Sequence, residues 1–329
     1  MKKVLVTGAA GFIGYHLSEA LLARGYAVVG VDNMSAYYDV RIKQKRLELL
    51  KRSKNFRFVK LDISKYTPLE KLVKKEKPDE IVHLAAQAGV RYSLVNPWAY
   101  ANSNYIGTLN VFEAAKRLKL PRVIYASSSS IYGNNEKQPF SEADHANTPI
   151  SLYGATKRAN ELLAYSYHYL YGMEMIGLRF FTVYGPWSRP DHALFKFAKA
   201  MLCGKPINLY NSGNMKRSFT YIDDVTDAIV RLLEQKPAGR SLIYNIGGSE
   251  AVPLMKFVEL IEKELDKTSE KRLMPLQAGD VPETLADCAA AKRDFGYEPN
   301  ISIEDGIKRF AIWLRENEKF ALALKEPQQ

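Results

Sequence analysis

The chain has 329 residues, 47% hydrophobic and 25% charged, with 47 Lys and Arg against 36 Asp and Glu, a formal charge of +11. That is the mix of a globular protein long enough for two domains and a self-sufficient core. Cys203 and Cys288 stand 85 positions apart, the five histidines show no ligand spacing and no run of about 20 apolar residues occurs, which excludes a disulfide framework, a cysteine zinc site and a membrane-spanning helix.

The first residues, Met1 to Gly8, run straight into an apolar strand that ends at glycines. A signal peptide needs a longer apolar core and a small-residue cleavage site, so a cytoplasmic protein without a membrane partner is expected. Short β-branched runs recur at Val4–Val6, Val28–Val31, Phe56–Lys60, Ile81–Leu84, Val123–Ala126 and Met175–Leu178. Helical patterns of 10 to 20 residues lie between them, as at Tyr15–Arg24, Ala99–Lys116 and Tyr153–Tyr169. This alternation predicts an α/β fold with a parallel sheet covered on both faces. After about Arg179 the rhythm breaks into loops rich in Gly, Pro and Asn (Gly185–Pro190, Leu209–Met215). Two strand-like pieces follow, Ser218–Ile222 and Leu242–Ile246, then helical patterns over Leu254–Leu265 and Ile303–Leu324. A larger nucleotide-binding domain over 1–180 and a smaller one over 181–329 are expected, the segments near 218–246 being candidates to return to the first sheet. Glu326–Gln329 read as a frayed tail.

The positive charge is spread over helical faces such as Arg41–Lys54 and Lys71–Lys77, mixed with Glu rather than clustered among stacking aromatics. Nucleic acid is therefore not an expected partner, whereas a small polyanion would be drawn in by the same field.

Thr7-Gly8-Ala9-Ala10-Gly11-Phe12-Ile13-Gly14 joins the first strand to the first helix. Gly8 permits a tight turn, Gly11 lets the backbone approach a pyrophosphate, and Gly14 lets the helix pack on the sheet. A helix N-terminus carries partial positive charge and free N–H groups, so a diphosphate sits there favourably. Asp32, 18 positions beyond Gly14, closes the second strand and can accept both hydroxyls of an adenosine ribose. A carboxylate there repels a 2′-phosphate, which favours NAD over NADP. The plain alternative is a tight turn with a surface Asp.

Tyr153-Gly154-Ala155-Thr156-Lys157 puts a phenol and an ammonium on one helix face. Alone, this spacing also suits a solvated helix edge. A phenol used as a base near neutral pH needs its pKa lowered by roughly 3 units, about 4 kcal/mol, whereas burial raises it. A cation at about 4 Å supplies an effect of that size, so Lys157 is the expected source. The serine run Ser127–Ser130 follows a strand's carboxyl end, where parallel sheets place their sites, and one of its hydroxyls can share a proton with the phenol. No His–acid pair accompanies these serines, so a nucleophilic serine is not expected.

Glycine turn, acidic strand end, Ser, Tyr and Lys in this order resemble the extended short-chain dehydrogenase/reductase family over nearly the whole chain. Within it the likeness is to nucleotide-sugar epimerases that act on UDP-glucuronate. It rests on Gly89-Val90-Arg91-Tyr92-Ser93, on Arg179 to Trp187, on Arg189-Pro190-Asp191 and on Gly279-Asp280-Val281-Pro282. The Gly that usually precedes Arg-Pro-Asp is Ser188 here, and Gln277 stands where relatives often carry an Arg.

The resemblance implies a Rossmann-type doubly wound sheet with a smaller α/β substrate domain, NAD as a tightly held cofactor, a UDP-sugar substrate, no metal, and a homodimer formed through Ala99–Lys116 and Tyr153–Tyr169. Gly8, Gly11, Phe12, Ile13, Gly14, Asp32, Asn33, Asp62, Ile63, Leu84, Ala85, Ala86, Tyr153 and Lys157 would then face the cofactor. Tyr153 would take the proton of the sugar C4 hydroxyl while hydride passes to NAD, Ser128 would relay it, and Lys157 would bind the nicotinamide ribose and depress the phenol's pKa. The 4-keto sugar would turn over and take hydride back on its other face. Arg91, Ser128, Ser129, Thr182, Arg189, Arg217 and Asp280 would face the substrate, with Arg217 on the diphosphate and Asp280 on the uridine ribose.

Relatives that dehydrate or decarboxylate carry carboxylates where this chain has Ser129 and Ser130, which speaks against both activities. The 4-keto form of a uronate is a β-keto acid that loses CO₂ when its carboxylate stands out of the carbonyl plane. Arg189, with Thr182, is the candidate to hold that plane, a guanidinium fork matching two oxygens; a surface loop Arg is the alternative. UDP-glucose epimerases usually carry Asn at Thr182 and are the second reading, a non-catalytic NAD sensor a third. An Arg217–Asp280 surface pair and solvated Lys196 and Lys199 are the bland readings of the nucleotide end.

Overall fold

A computed structural model describes residues 1–325; the tail expected at 326–329 lies outside the described residues. The chain builds β1 (Lys3–Thr7), β2 (Ala27–Asp32), β3 (Phe56–Lys60), β4 (Glu80–His83), β5 (Arg122–Ser128) and β6 (Glu174–Phe180). It leaves through β7 (Thr182–Tyr184), β8 (Ile207–Leu209) and β9 (Lys216–Tyr221), comes back as β10 (Ser241–Ile246), and ends with β11 (Ala251–Pro253), β12 (Lys271–Leu273) and β13 (Glu283–Thr284). β1 to β6 and β10 form one parallel sheet in the order β3-β2-β1-β4-β5-β6-β10. β1 pairs with β2 on one side and β4 on the other, so the winding reverses there and a crevice opens at the strands' carboxyl ends.

Alternation along the strands divides the core. Val4 and Val6 point into one apolar layer with Leu17, Leu21 and Ile229, while Leu5 points into the other with Val111, Phe112 and Ala164. Each such side chain, taken fully out of water, stabilises the sheet by about 1.5–3 kcal/mol. Both faces being covered explains why all seven residues of β6 are buried.

Of the segments near 218–246, β10 returns to the large sheet and the helix Ile222–Glu234 packs on the helix Phe12–Ala23. β9 does not return: it pairs with β7, β11 and β13 in a second sheet, and β8 pairs with β12. The expected helix at Ala99–Lys116 is interrupted. Helix Pro97–Tyr100 passes into a π-helical turn, Ala101–Ile106, before Gly107–Arg117. Within that turn the buried Asn104 accepts from Gln87 N (2.7 Å) and donates to Gln87 O and Thr156 Oγ1 (3.1 Å each), satisfying polar groups that a regular helix would not meet. The pattern at Ile303–Leu324 splits at Asn317 into Ile303–Glu316 and Glu318–Ala323. Among the described residues no helix is long and apolar enough to cross a membrane.

Candidate active site

A cleft of about 1060 Å³ runs along the carboxyl ends of the large sheet and on between the two sheets. The strand β1 delivers the glycine turn to one end of it. Gly8 takes φ +75, and a Cβ there would lie 2.8 Å from Ala85 N; one on Gly14 would lie 2.1 Å from Gly8 O. Only glycine fits either position. The helix Phe12–Ala23 begins at Gly11 with no side-chain cap, which leaves its N-terminal amides for an anion in the cleft. Asp32 Oδ1 accepts from Met34 N (2.8 Å) and from Lys43 Nζ (3.2 Å), while Oδ2 has no protein partner among the described residues. Turn, uncapped helix and half-free carboxylate suit the diphosphate and adenosine ribose of NAD.

Gly8, Gly11, Phe12, Ile13, Gly14, Asp32, Asn33, Ile63, Leu84, Ala85, Ala86, Arg91, Ser128, Tyr153, Lys157, Thr182, Arg189 and Asp280 all line this one cleft. Three expected site residues do not. Asp62 stands behind the wall made by Leu61 and Ile63, accepting from Asn33 Nδ2 (3.3 Å) and Ser64 N (2.9 Å). Ser129 turns away in the short 3-10 segment Ser129–Tyr132. Arg217 lies along its own strand, donating through Nη1 to Lys216 O (2.9 Å) and Pro282 O (3.0 Å).

β5 and the helix Leu152–Tyr171 meet at the cleft's centre. The buried Lys157 ammonium donates to Ala126 O at 2.8 Å, and burial lowers its pKa to about 8. The Tyr153 ring packs edge-on against Tyr100, centroids 6.1 Å apart. Burial raises the Tyr153 phenol above its ordinary value, and the neighbouring Ser128 hydroxyl and the charge of Arg189 pull it back. Lys157, which the sequence makes the source of a depressed phenol pKa, is held on a carbonyl of β5. The Ser128 hydroxyl also caps Ser130 N and lies 3.2 Å from Ser130 Oγ.

Arg189 is a bidentate partner of Asp191, through Nε (2.9 Å) and Nη2 (2.6 Å), and Tyr37 donates to the same carboxylate at 3.2 Å. The pair holds the Asp191 carboxyl well below the usual range against burial. Nη1 of Arg189 has no protein hydrogen bond among the described residues, so the fork is oriented and one corner is left for a ligand. At the far end Asp280 pairs with Arg91 (2.8 Å), which stacks over Tyr210 at 4.5 Å, so the bland reading of an Arg217–Asp280 pair is not what forms. Lys196 and Lys199 line the cleft, and Lys199 also donates to Leu324 O.

Asp191, Tyr37, Lys43, Tyr100 and Asn104 escaped the sequence reading as site residues. Only Asp191 carried a signal, standing two positions after Arg189 with a proline between. Every carboxylate on the cleft wall (Asp32, Asp191, Asp280) is ion-paired, to Lys43, Arg189 and Arg91 respectively.

Comparison with known proteins gives one answer from three directions. Residues 4–247 match the model of the NAD dependent epimerase/dehydratase family. The chain is 44% identical over 332 residues to a probable UDP-glucuronate 4-epimerase of Rhizobium meliloti, covering 96% of this chain and 97% of that one. A crystal structure of UDP-glucuronic acid 4-epimerase from Bacillus cereus, in complex with UDP-glucuronic acid and NAD, superposes with a TM-score of 0.90 at 36% identity, covering 95% of this chain and 99% of that one. UDP-glucose 4-epimerase from Thermotoga maritima, with UDP-glucose, follows at 0.87 and 30% identity, covering 96% and 99%.

Proposed function

Because the chain belongs to the NAD dependent epimerase/dehydratase family, we propose that it is an NAD-dependent UDP-sugar 4-epimerase interconverting UDP-glucuronate and UDP-galacturonate through a 4-keto sugar. NAD, when bound, supplies the acceptor and the donor of the C4 hydride. The glycine turn and uncapped helix hold its diphosphate, Asp32 its adenosine ribose, and Lys157 its nicotinamide ribose. Tyr153 takes the C4 hydroxyl proton as the carbonyl forms and gives it back when hydride returns. Ser128 hydrogen-bonds the developing oxygen and relays the proton.

The observation that carries this reading is that all three wall carboxylates are ion-paired, Asp191 to an oriented guanidinium, that of Arg189. In the relatives that eliminate, a carboxylate does that work, and among the described residues no unpaired carboxylate lines the cleft. Arg189, fixed by Asp191, offers its remaining corner to the uronate carboxylate, with Thr182 beside it, and holds the carboxylate near the carbonyl plane so that CO₂ is retained. Arg91 and Asp280 take the uridine diphosphate end.

The test is proton NMR of UDP-glucuronate with purified protein and NAD. UDP-galacturonate should accumulate to equilibrium without net NADH. A pentose nucleotide would mean decarboxylation, and conversion of UDP-glucose alone would make the uronate assignment wrong.

A cytoplasmic homodimer completes the proposal. Leu162, Tyr165 and Tyr169 form an exposed apolar stripe at helical spacing on the helix that carries Tyr153, beside exposed Trp98 and Tyr105. Leu162→Glu should turn a dimer into a monomer in sedimentation equilibrium; a wild type that sediments as a monomer would end this part of the reading.

A further inference from the structure

Arg46 lies on the helix Val40–Leu50 and is fully buried, yet no carboxylate pairs with it among the described residues. Its guanidinium grips main chain instead. Nη1 donates to Ala10 O (2.8 Å), in the glycine turn, and to the Tyr38 hydroxyl (3.2 Å); Nη2 donates to Trp187 O (2.5 Å), two residues before Arg189. These two carbonyls are 177 positions apart in sequence, one in the glycine turn and one in the loop that carries Arg189.

The turn it reaches is a demanding one. Trp187 has φ +56, in the left-handed region that a bulky residue occupies only when its surroundings dictate it. Trp187 packs against Trp313 (5.1 Å) and Phe320 (6.1 Å), and the preceding carbonyl, Pro186 O, faces His16 Nε2 at 2.9 Å. A carbonyl only accepts, and burial lowers His16 to about 4, so this ring is neutral and donates from Nε2. Two successive carbonyls of the Arg189 loop are thus tied back to the cofactor side, one by His16 and one by Arg46.

We propose that Arg46 is a positioning residue, one guanidinium that holds the glycine turn and the Arg189 loop in register so that Arg189 faces the cleft that Tyr153 also lines. A planar fork spans both carbonyls; a lysine ammonium, a single point donor, does not. The inference rests on the roles given above to Arg189 and Tyr153.

The test is a double-mutant cycle on the holoenzyme. Arg46→Lys should lower kcat for UDP-glucuronate about tenfold, the size of one buried carbonyl left unsatisfied. In an Arg189→Ala background the same change should cost almost nothing further in kcat, because the loop it steadies has lost its working group. Equal losses in both backgrounds would overturn the proposal. Deuterium exchange supplies a readout independent of turnover. Amides of residues 185–190 should exchange faster in Arg46→Lys, and NAD should slow them less than in the wild type. Unchanged exchange would overturn the proposal even if the wild type proved inactive on UDP-glucuronate, an outcome that by itself removes only the assigned reaction. Should Arg46→Lys not fold, Tyr38→Phe removes one anchor and keeps the charge; it should raise exchange at 185–190 about threefold, and no rise would count against Arg46.

Discussion

On the cofactor side of the cleft the lining is largely main chain, with glycines, a helix N-terminus and one carboxylate, whereas on the substrate side it is charged side chains already engaged with one another. Gly8 and Gly14 can be nothing but glycine, and no rearrangement is needed for a diphosphate to meet the first amides of the helix Phe12–Ala23. Arg189 and Arg91, by contrast, stand in ion pairs with Asp191 and Asp280. Recognition by main chain is settled when the fold forms. Recognition by paired side chains needs the pairs to be kept, shared or exchanged as the ligand arrives, which gives the substrate side its room for specificity.

Tyr153 stands where the two sides meet, and its removal should separate chemistry from binding most sharply. Tyr153→Phe should lower epimerisation about a thousandfold or more while NAD still binds; turnover near the wild-type rate would remove the phenol from the mechanism. The next effect in size concerns Lys157, whose pKa burial has brought from 10.5 to about 8. Between those two values the unfolded chain holds more protons than the folded one, so stability rises with pH across the window, by up to about 3 kcal/mol. Denaturant titrations of wild type against Lys157→Met should show that rise in the wild type and not in the variant.

On the substrate side, Arg189→Ala should slow epimerisation about a hundredfold and let CO₂ and a UDP-pentose appear. Retained fidelity would assign the carboxylate to another group. The cofactor side should respond least to a side-chain change. Lys43→Met, which leaves Asp32 without its cation, should weaken NAD about tenfold, roughly 1.4 kcal/mol, by calorimetric titration. A hundredfold loss would mean that this side depends on side chains as much as the other does.

The same contrast decides what could be read in the sequence. Glycine spacing and the strand–helix rhythm are local signals, so β1 to β6, the turn and Asp32 were legible, as were Tyr153 and Lys157 four positions apart. Pairings across the chain were not. Asp280 meets Arg91, 189 positions away, while Arg217 donates to the carbonyls of Lys216 and Pro282. Ser129 turns out of the cleft because Ser128 caps the 3-10 segment that begins there. The π-helical turn at Ala101–Ile106 depends on Asn104 meeting Gln87 and Thr156, partners 17 and 52 positions away. Arg189, whose charge pulls the Tyr153 phenol down, sits on a loop that only the folded chain brings near.

The position of β10 has a consequence for how the molecule is made. β6, buried along its whole length, stays an open edge until residues 241–246 arrive, and the N-terminal Lys2 waits for Leu233 O, a little earlier in the chain. At roughly 5–20 residues per second on a ribosome, β1 is complete some tens of seconds before its sheet can close. A nascent chain halted near residue 180, the boundary that the sequence rhythm suggests, therefore presents an apolar strand edge to whatever is nearby. Chaperone contact during synthesis should concentrate on that edge and end once β10 has emerged.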